Sequence, residues 1–105
     1  MNYKLRYSPA AVTDMDDVWN DVFEASASYE TSDRYTEDFA SAISNMRAFP
    51  ESGIPLSYQG LFTGFYSVNF KAYKAFYRVN GSYIEVLRIL LAKRDYISVL
   101  FSEEE

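Results

Sequence analysis

Apolar residues recur along the chain with two different periods, which divide it into strands and helices. Residues 3–7 alternate between apolar and basic side chains, as in a strand with one buried face. Ser8 and Pro9 follow, and they predict the start of a helix because serine is a favoured N-cap and proline a favoured first helical residue. This helix is expected to continue to about Ser28, and its apolar stripe is Val12, Met15, Val18, Trp19, Val22 and Phe23.

A second stripe with helical spacing follows the first and consists of Tyr35, Phe39, Ala42, Ile43 and Met46. Residues 31–33, Thr-Ser-Asp, are the predicted cap of this helix, which is expected to end near Phe49 and Pro50. Because only a few residues join the two helices, we expect them to pack as an antiparallel hairpin. Residues 51–60 contain Gly53, Pro55 and Gly60 and are predicted to form a loop.

The last third of the chain has strand character. Residues 65–70 predict one strand, and residues 73–95 predict two strands joined at Asn80 and Gly81, a pair suited to the positive φ angles of a type I′ turn. Residues 95–101 fit either a short helix or a final strand. The order predicts an α+β fold, in which a small antiparallel sheet with an N-terminal strand carries the two-helix antiparallel hairpin on one face. The other face is expected to be more open.

The register of the terminal hairpin decides which of its side chains are exposed. A two-residue turn at Asn80 and Gly81 places Lys74, Phe76 and Arg78 on one face with Tyr83, Glu85 and Leu87. The opposite face then resembles a core and collects Ala75, Tyr77, Val79, Ile84 and Val86. A three-residue loop instead shifts the pairing by one residue and exchanges the faces of one strand.

Composition limits the classes of function. The 105 residues are expected to form a single domain, residues 1–105, and the content of aromatic residues, 18%, opposes long disorder. No Cys and no His are present, so thiolate chemistry and the commonest general base are excluded. There is no signal peptide's apolar run and no stretch of about 18 apolar residues. We therefore expect a cytoplasmic protein.

Charge is distributed unevenly along the chain. The net charge is −5, yet residues 61–101 carry six basic and two acidic side chains. This cationic segment suits phosphate or an acidic partner, and ordinary solvated charges are the alternative. Asp14, Asp17 and Asp21 share a helix face, which we interpret as a solvated surface rather than a metal site. We expect Trp19 to belong to the core, and no cofactor is expected.

Several of these features occur together, in one order, in a known superfamily. They are the short strand ending at residues 8–10, Ser-Pro-Ala, the Asp-rich helix, the second helix running into residues 49–53, Phe-Pro-Glu-Ser-Gly, and the terminal hairpin followed by Lys93, Arg94 and Asp95. Over nearly its whole length the chain resembles the RelE/ParE toxin superfamily, which includes plasmid stabilisation toxins. The resemblance implies a toxin of a bacterial type II toxin–antitoxin module and a cognate antitoxin that forms a hetero-oligomer with it.

Two activities occur on this fold, and fold alone does not choose between them. RelE-like members cleave messenger RNA on the ribosome, whereas ParE-like members inhibit DNA gyrase. For the nuclease, the resemblance implies Lys74 and Arg94 as catalytic candidates, because cations stabilise charge that develops on phosphate. However, some nuclease branches use a His, which this chain lacks, and others a Tyr at a position that here is close to Leu100.

The resemblance therefore favours the ParE-like branch, with binding and inhibition of gyrase as the expected function. The residues at 87–90, Leu-Arg-Ile-Leu, followed by a basic pair, are similar to that branch. The candidate contacts with a target or the antitoxin are the basic residues Lys74, Arg78, Arg88, Lys93 and Arg94. The alternatives are a ribosome-dependent mRNA endoribonuclease and a degenerate toxin-fold protein that only binds an antitoxin-like partner.

Overall fold

Five strands form one sheet with helices on both faces. The computed structural model describes residues 2–93 and 95–101. The elements in chain order are β1 (Lys4–Tyr7), α1 (Pro9–Ser26), α2 (Tyr29–Ser44), β2 (Ile54–Tyr58), β3 (Leu61–Phe70), β4 (Tyr73–Asn80), β5 (Tyr83–Leu91) and α3 (Tyr96–Phe101). Two 3₁₀ turns, Asn45–Arg47 and Pro50–Ser52, connect α2 to β2. No helix in the described ranges has the length and apolar character needed to cross a membrane.

The sheet order is β1-β5-β4-β3-β2. Strands β2 to β5 follow one another as antiparallel neighbours, whereas β1 pairs in parallel with β5. The predicted α+β fold, with an N-terminal strand and a helical hairpin on the sheet, is confirmed. The sequence predicts antiparallel pairing for the consecutive later strands and leaves the direction of β1 open. A parallel pair needs a long connection, which the chain between β1 and β5 supplies.

The start of α1 is the predicted one. The Ser8 hydroxyl accepts a hydrogen bond from the Ala11 N–H at 3.0 Å, and Pro9 occupies the first helical position. The same hydroxyl donates to the Leu87 carbonyl at 2.8 Å, and the Ser8 N–H donates to the Val86 carbonyl at 2.9 Å. Ser8 therefore caps the helix and also attaches its first turn to β5.

The predicted cap of α2 is wrong by three residues. Ser28, not the Thr-Ser-Asp segment, precedes α2, and its hydroxyl accepts from the Thr31 N–H at 3.1 Å. Ala27 adopts a left-handed conformation with φ 56°, so two residues are enough to reverse the chain after α1. Ser32, one of the predicted cap residues, lies inside the helix and is fully buried.

The predicted loop at residues 51–60 is wrong for its central part, which is strand β2. Pro55 lies in this strand, and the strand tolerates it because β2 is at the edge of the sheet, where a missing N–H breaks no ladder. Gln59 and Gly60 form the turn to β3 with φ angles of 54° and 82°. Strand β3 consequently begins at Leu61, four residues before the predicted start.

The terminal hairpin is present, but its turn lies one residue further along than predicted. Asn80 pairs with Tyr83, so the two loop residues are Gly81 and Ser82. Only Gly81 has a positive φ, 63°, which is the pattern of a type II′ turn rather than type I′. Because the turn is displaced by one residue, each β4 residue near the turn pairs with a β5 residue two positions further along than predicted. A shift by an even number keeps these side chains on their predicted faces. A bulge opposite Phe76 and Tyr77 then displaces the second half of the pairing.

The core lies between the helical hairpin and one face of the sheet. Its fully buried side chains include Val18, Phe39, Ile43, Tyr77, Ile84 and Val86. The Tyr77 hydroxyl donates to the Pro50 carbonyl at 2.5 Å, and burial raises the pKa of Tyr77 to about 12. Gly53 passes so close to the Tyr77 hydroxyl that a side chain at this position collides with it. This contact holds the segment before β2 against β4.

Helix α3 settles the choice that the sequence left open for residues 95–101, and it covers part of the opposite sheet face. The Tyr96 ring packs on Phe76 with centroids 5.1 Å apart, and the Phe101 ring stacks on Tyr58 at 5.2 Å and on Phe65 at 5.7 Å. Phe76 is therefore 1% exposed although it points away from the helical hairpin. The face expected to be more open is therefore covered in part by α3.

We predict that Ser8→Ala costs about 2 kcal/mol of unfolding free energy, because it removes both a helix cap and the bond to the Leu87 carbonyl. The matched control is Ser28→Ala, which removes only a cap and is expected to cost about 1 kcal/mol. Urea unfolding of both variants at one pH measures the two losses. Equal losses would show that the bond from Ser8 to β5 adds nothing.

Candidate functional site

The folded chain separates its charges into layers. Helices α1 and α2 carry nine acidic residues and one basic residue, whereas the five strands carry five basic residues and one acidic residue. The strand cations are Lys4, Arg6, Lys74, Arg78 and Arg88, and the single carboxylate is Glu85. The cationic segment noticed in the sequence is thus one part of a cationic sheet that also includes β1. A basic side chain can contact a partner most readily when no carboxylate of the chain itself binds it.

Lys74 and Arg78 lie on β4 and face away from the helical hairpin, since their neighbours Ala75 and Tyr77 are in the core. The Lys74 ammonium donates to the Asn69 side-chain oxygen at 2.7 Å. This partner is neutral, so the positive charge of Lys74 is not compensated there. Arg78 differs, because its Nε donates to a carboxylate oxygen at 3.0 Å.

Arg88 makes a two-point ion pair with α1. Its Nε and Nη2 donate to the two Asp14 carboxylate oxygens at 2.7 and 3.1 Å, and these bonds raise the pKa of Arg88. The Ile89 N–H donates to Asp14 as well, at 2.9 Å. Asp14 is 8% exposed, so the expectation that it belongs to a solvated acidic face is wrong. The pair joins α1 to β5.

The basic pair after β5 is described only in part. Lys93 is exposed in the turn that follows β5, and Arg94 lies outside the described residues. The Asp95 carboxylate accepts from the Ser98 N–H and hydroxyl at 3.2 and 2.9 Å, which caps the start of α3. Leu100 lies within α3 and is half-buried.

Arg6 is a member of the cationic face that the sequence-based candidates did not include. The parallel pairing of β1 with β5 places Arg6 opposite Glu85, whose carboxylate accepts from Arg6 Nε and Nη2 at 2.9 and 2.5 Å. Arg78 Nε and the Asn80 amide bind the same carboxylate at 3.0 and 3.4 Å. Two guanidinium groups therefore share one carboxylate. The hydrogen bonds from Arg78 and Arg6 lower the pKa of Glu85.

Trp19 is half-buried rather than part of the central core. Its ring stacks on Phe23 at 5.4 Å and lies 5.8 Å from Tyr29, and its Nε1 donates to the Asp33 carboxylate at 2.9 Å. The cluster of Trp19, Phe23 and Tyr29 packs α1 against the start of α2. The expectation that Trp19 belongs to the core is therefore wrong, because its ring packs on Phe23 and Tyr29 instead of on the core residues.

A second exposed surface is apolar. Residues 52–70, which include β2 and β3, contain no charged side chain. Their exposed large residues are Ile54, Tyr58, Leu61 and Phe62, with Leu61 72% exposed. Phe49, which precedes this segment, is 75% exposed. Tyr58 lies on the α3 side of the sheet, where it stacks on Phe101, whereas Phe62 packs on Tyr66, whose ring stacks on the core residue Tyr77. The exposed apolar side chains therefore follow the β2–β3 edge on both faces, and exposed apolar surface is typical of sites that bind other proteins.

Comparison with known proteins identifies the family. Residues 5–96 match the family model described as the ParE toxin of the type II toxin–antitoxin system parDE. The chain belongs to the ParE toxin family. The predicted membership of the RelE/ParE toxin superfamily is thereby confirmed. No curated protein matches the sequence.

Solved structures of other toxins have the same fold as this ParE-family chain. One, described as the chromosomal ParDE system from P. aeruginosa, has a TM-score of 0.71 at 18% identity and covers 87% of this chain and 97% of its own. A YoeB/ParE toxin from Agrobacterium tumefaciens has a TM-score of 0.57 at 22% identity, with 84% and 96% covered. The RelBE2 toxin–antitoxin complex from Mycobacterium tuberculosis gives 0.56 at 18% identity, with 87% and 99% covered.

We predict that Asp14→Ala lowers the free energy of unfolding by about 3 kcal/mol, because it leaves the Arg88 guanidinium and the Ile89 N–H without their partner. Asp14→Asn keeps an oxygen for the Ile89 N–H and is expected to lose less. Asp17→Ala, at an exposed position of the same helix, is the control and is expected to stay within about 0.5 kcal/mol of the parent. Urea unfolding compares all three, and a loss no larger than that of the control would contradict the structural role.

We also predict a pH dependence for Glu85. Its folded-state pKa lies below the ordinary value of 4.5, so its contribution to stability is present above that value and is lost as the pH falls through the folded pKa. The measurement is the difference in urea midpoint between the parent and Glu85→Gln at pH values from 7 to 3. The difference is expected to shrink at acid pH; a difference that stays constant would contradict the assigned cause.

Proposed function

We propose that this ParE-family toxin acts by binding and inhibiting DNA gyrase, and that a cognate antitoxin silences it by forming a complex with it. Family membership supports the toxin role. The P. aeruginosa and M. tuberculosis structures of the same fold are described as a toxin–antitoxin system and a toxin–antitoxin complex, which supports an antitoxin as partner. The target is inferred from the ParE-like character of the terminal hairpin and from the charges of the sheet.

The ion pairs of the arginines support a protein as the target. Arg88 is bound at two points by Asp14, and Arg78 shares Glu85 with Arg6. A nuclease needs cations that are free to stabilise charge on the scissile phosphate. Two of the basic residues proposed as contacts are instead neutralised, wholly or in part, by carboxylates of the chain itself. This supports binding of a protein target over chemistry on RNA.

The remaining surface also suits a protein. The uncharged segment of residues 52–70 exposes large apolar side chains, which a protein partner can cover. In contrast, the eight exposed carboxylates of α1 and α2 repel a polyanion that approaches from their side. A ribosomal site surrounded by RNA phosphate is therefore a less suitable environment for this chain.

One observation favours the nuclease as a second candidate. Lys74 is bound to a neutral amide, so its ammonium keeps the charge that a phosphate-contacting residue needs. It is also the residue that the resemblance assigns to catalysis. A third candidate, a toxin-fold protein that only binds an antitoxin, is distinguished by the absence of both activities.

The decisive experiment is a supercoiling assay. Purified toxin, freed from antitoxin, is mixed with gyrase, relaxed plasmid and ATP, and supercoiling is expected to fall as toxin is added. Restoration of supercoiling by the antitoxin is the internal control. Normal supercoiling at a large molar excess of toxin over gyrase would overturn the gyrase proposal.

A parallel assay tests the nuclease. Messenger RNA in a translating extract is expected to remain intact with the parent protein. If cleavage occurs, Lys74→Ala is expected to abolish it, while the control Lys71→Ala leaves it unchanged, since Lys71 lies in the exposed turn between β3 and β4 and contacts the Tyr35 ring. Cleavage that depends on Lys74 would replace gyrase inhibition as the function.

A further inference from the structure

We propose that the Arg6 and Arg78 guanidiniums form a binding site for a carboxylate side chain supplied by an acidic segment of a partner protein. The site lies on the sheet face away from the helical hairpin, where β1, β5 and β4 run side by side. It goes beyond the proposed function and holds whether gyrase or another protein is the toxin's target.

The two guanidiniums are already positioned. Glu85 lies between them and binds Arg6 through two nitrogens and Arg78 through one. The Arg6 guanidinium also stacks on the Tyr83 ring, with its central carbon 4.0 Å from the ring centroid. Long side chains normally lose rotamer freedom when they bind a ligand. Here Glu85 and Tyr83 have restricted both arginines beforehand, which reduces the entropy lost on binding.

The site keeps an unsatisfied positive charge. Two guanidiniums face one carboxylate, and each guanidinium has five N–H donors. Within residues 2–93 and 95–101, Arg78 is bonded only through Nε, so its terminal N–H groups remain for another acceptor. The side chains of Arg6 and Arg78 are each 48% exposed, and an incoming group can therefore reach them.

A cleft next to the pair is large enough to admit a side chain. Its volume is about 350 Å³, and it is lined by Arg6, Arg78 and Glu85 together with Tyr7, Ser8, Pro9 and Leu87. This volume is at the lower end of the range for small-molecule sites. Pro9, Leu87 and the Tyr7 ring supply apolar surface beside the charged groups, and this part of the lining suits the methylene groups of a glutamate whose carboxylate bridges the arginines.

Glu85 also restricts the chemical class of the ligand. It leaves the arginine pair with one net positive charge, which matches a single carboxylate better than the repeated charges of a polynucleotide. The apolar walls add contacts that a phosphate backbone does not offer. A protein segment that alternates acidic and apolar residues satisfies both parts of the site.

The test observes the arginines directly by NMR of the full-length protein. The probe is a blocked octapeptide that alternates glutamate and leucine, and the readout is the Nε–H signals of Arg6 and Arg78, assigned by their loss in Arg6→Gln and Arg78→Gln. Both signals are expected to shift with saturation. The same peptide with glutamine in place of glutamate is expected to shift neither, and this comparison needs no variant of the protein.

Variants then locate the site. Arg78→Lys keeps the charge and loses the planar fork of donors, and we expect it to weaken binding about tenfold. Arg34→Gln is the matched control, because Arg34 is a 70% exposed arginine on α2 that pairs with Glu30, and it is expected to leave binding unchanged.

Three results would overturn the proposal. They are unchanged Nε–H signals with the glutamate peptide, equal shifts with the glutamine peptide, and shifts produced by an octauridylate at lower concentration than by the glutamate peptide. The last result would assign the arginine pair to nucleic acid. Because no gyrase or antitoxin is present in the titration, its outcome is independent of the proposed target.

Discussion

The packing of α1 against the sheet depends on the bonds of the Asp14 carboxylate to β5. Strand β1 pairs with β5 only as far as Val86, and beyond that residue no strand of the described part of the chain pairs with this edge of β5. Side chains of α1 and its cap take over: Ser8 binds the Leu87 carbonyl, and Asp14 binds the Ile89 N–H and the Arg88 guanidinium. An unpaired backbone group or a buried unpaired charge costs several kcal/mol. Helix α1 is therefore held to β5 because the Ile89 N–H and the Arg88 guanidinium would otherwise lose their hydrogen-bond partner.

This attachment also determines which charges face outward. Arg88 is paired with Asp14 of α1. The cationic face of the sheet therefore consists of Lys4 and Arg6 on β1 and Lys74 and Arg78 on β4. Ser8 connects the end of β1 to β5 and thereby keeps Arg6 opposite Glu85. The proposed carboxylate site and the capped edge of β5 are therefore adjacent, and both depend on the attachment of Ser8 to β5. A change that releases α1 from β5 is expected to disturb the arginine pair as well.

Solved toxins share this fold, and in this chain several basic side chains of the sheet are paired with carboxylates. The terminal hairpin of this chain carries basic residues, yet Asp14 and Glu85 bind two of its arginines. The uncharged segment from 52 to 70 offers apolar contact instead of charge. The ion pairs and the uncharged segment support the proposed binding of a protein target. Lys74 is the one predicted contact on the sheet that is bound to a neutral group.

Local patterns along the chain were sufficient for the elements whose causes are local. The strand before Ser8, the capped start of α1, both helical stripes and the terminal hairpin follow from spacing, capping and turn residues, and together they indicate the family. Tertiary structure decided the rest. Strand β2 forms despite Pro55 because it lies at the sheet edge, and Ala27 starts α2 early through its left-handed backbone. Asp14 and Arg88 are 74 residues apart, and Arg6 and Glu85 are 79 apart. No local periodicity encodes such pairs, because only the folded sheet brings their charges within reach of one another.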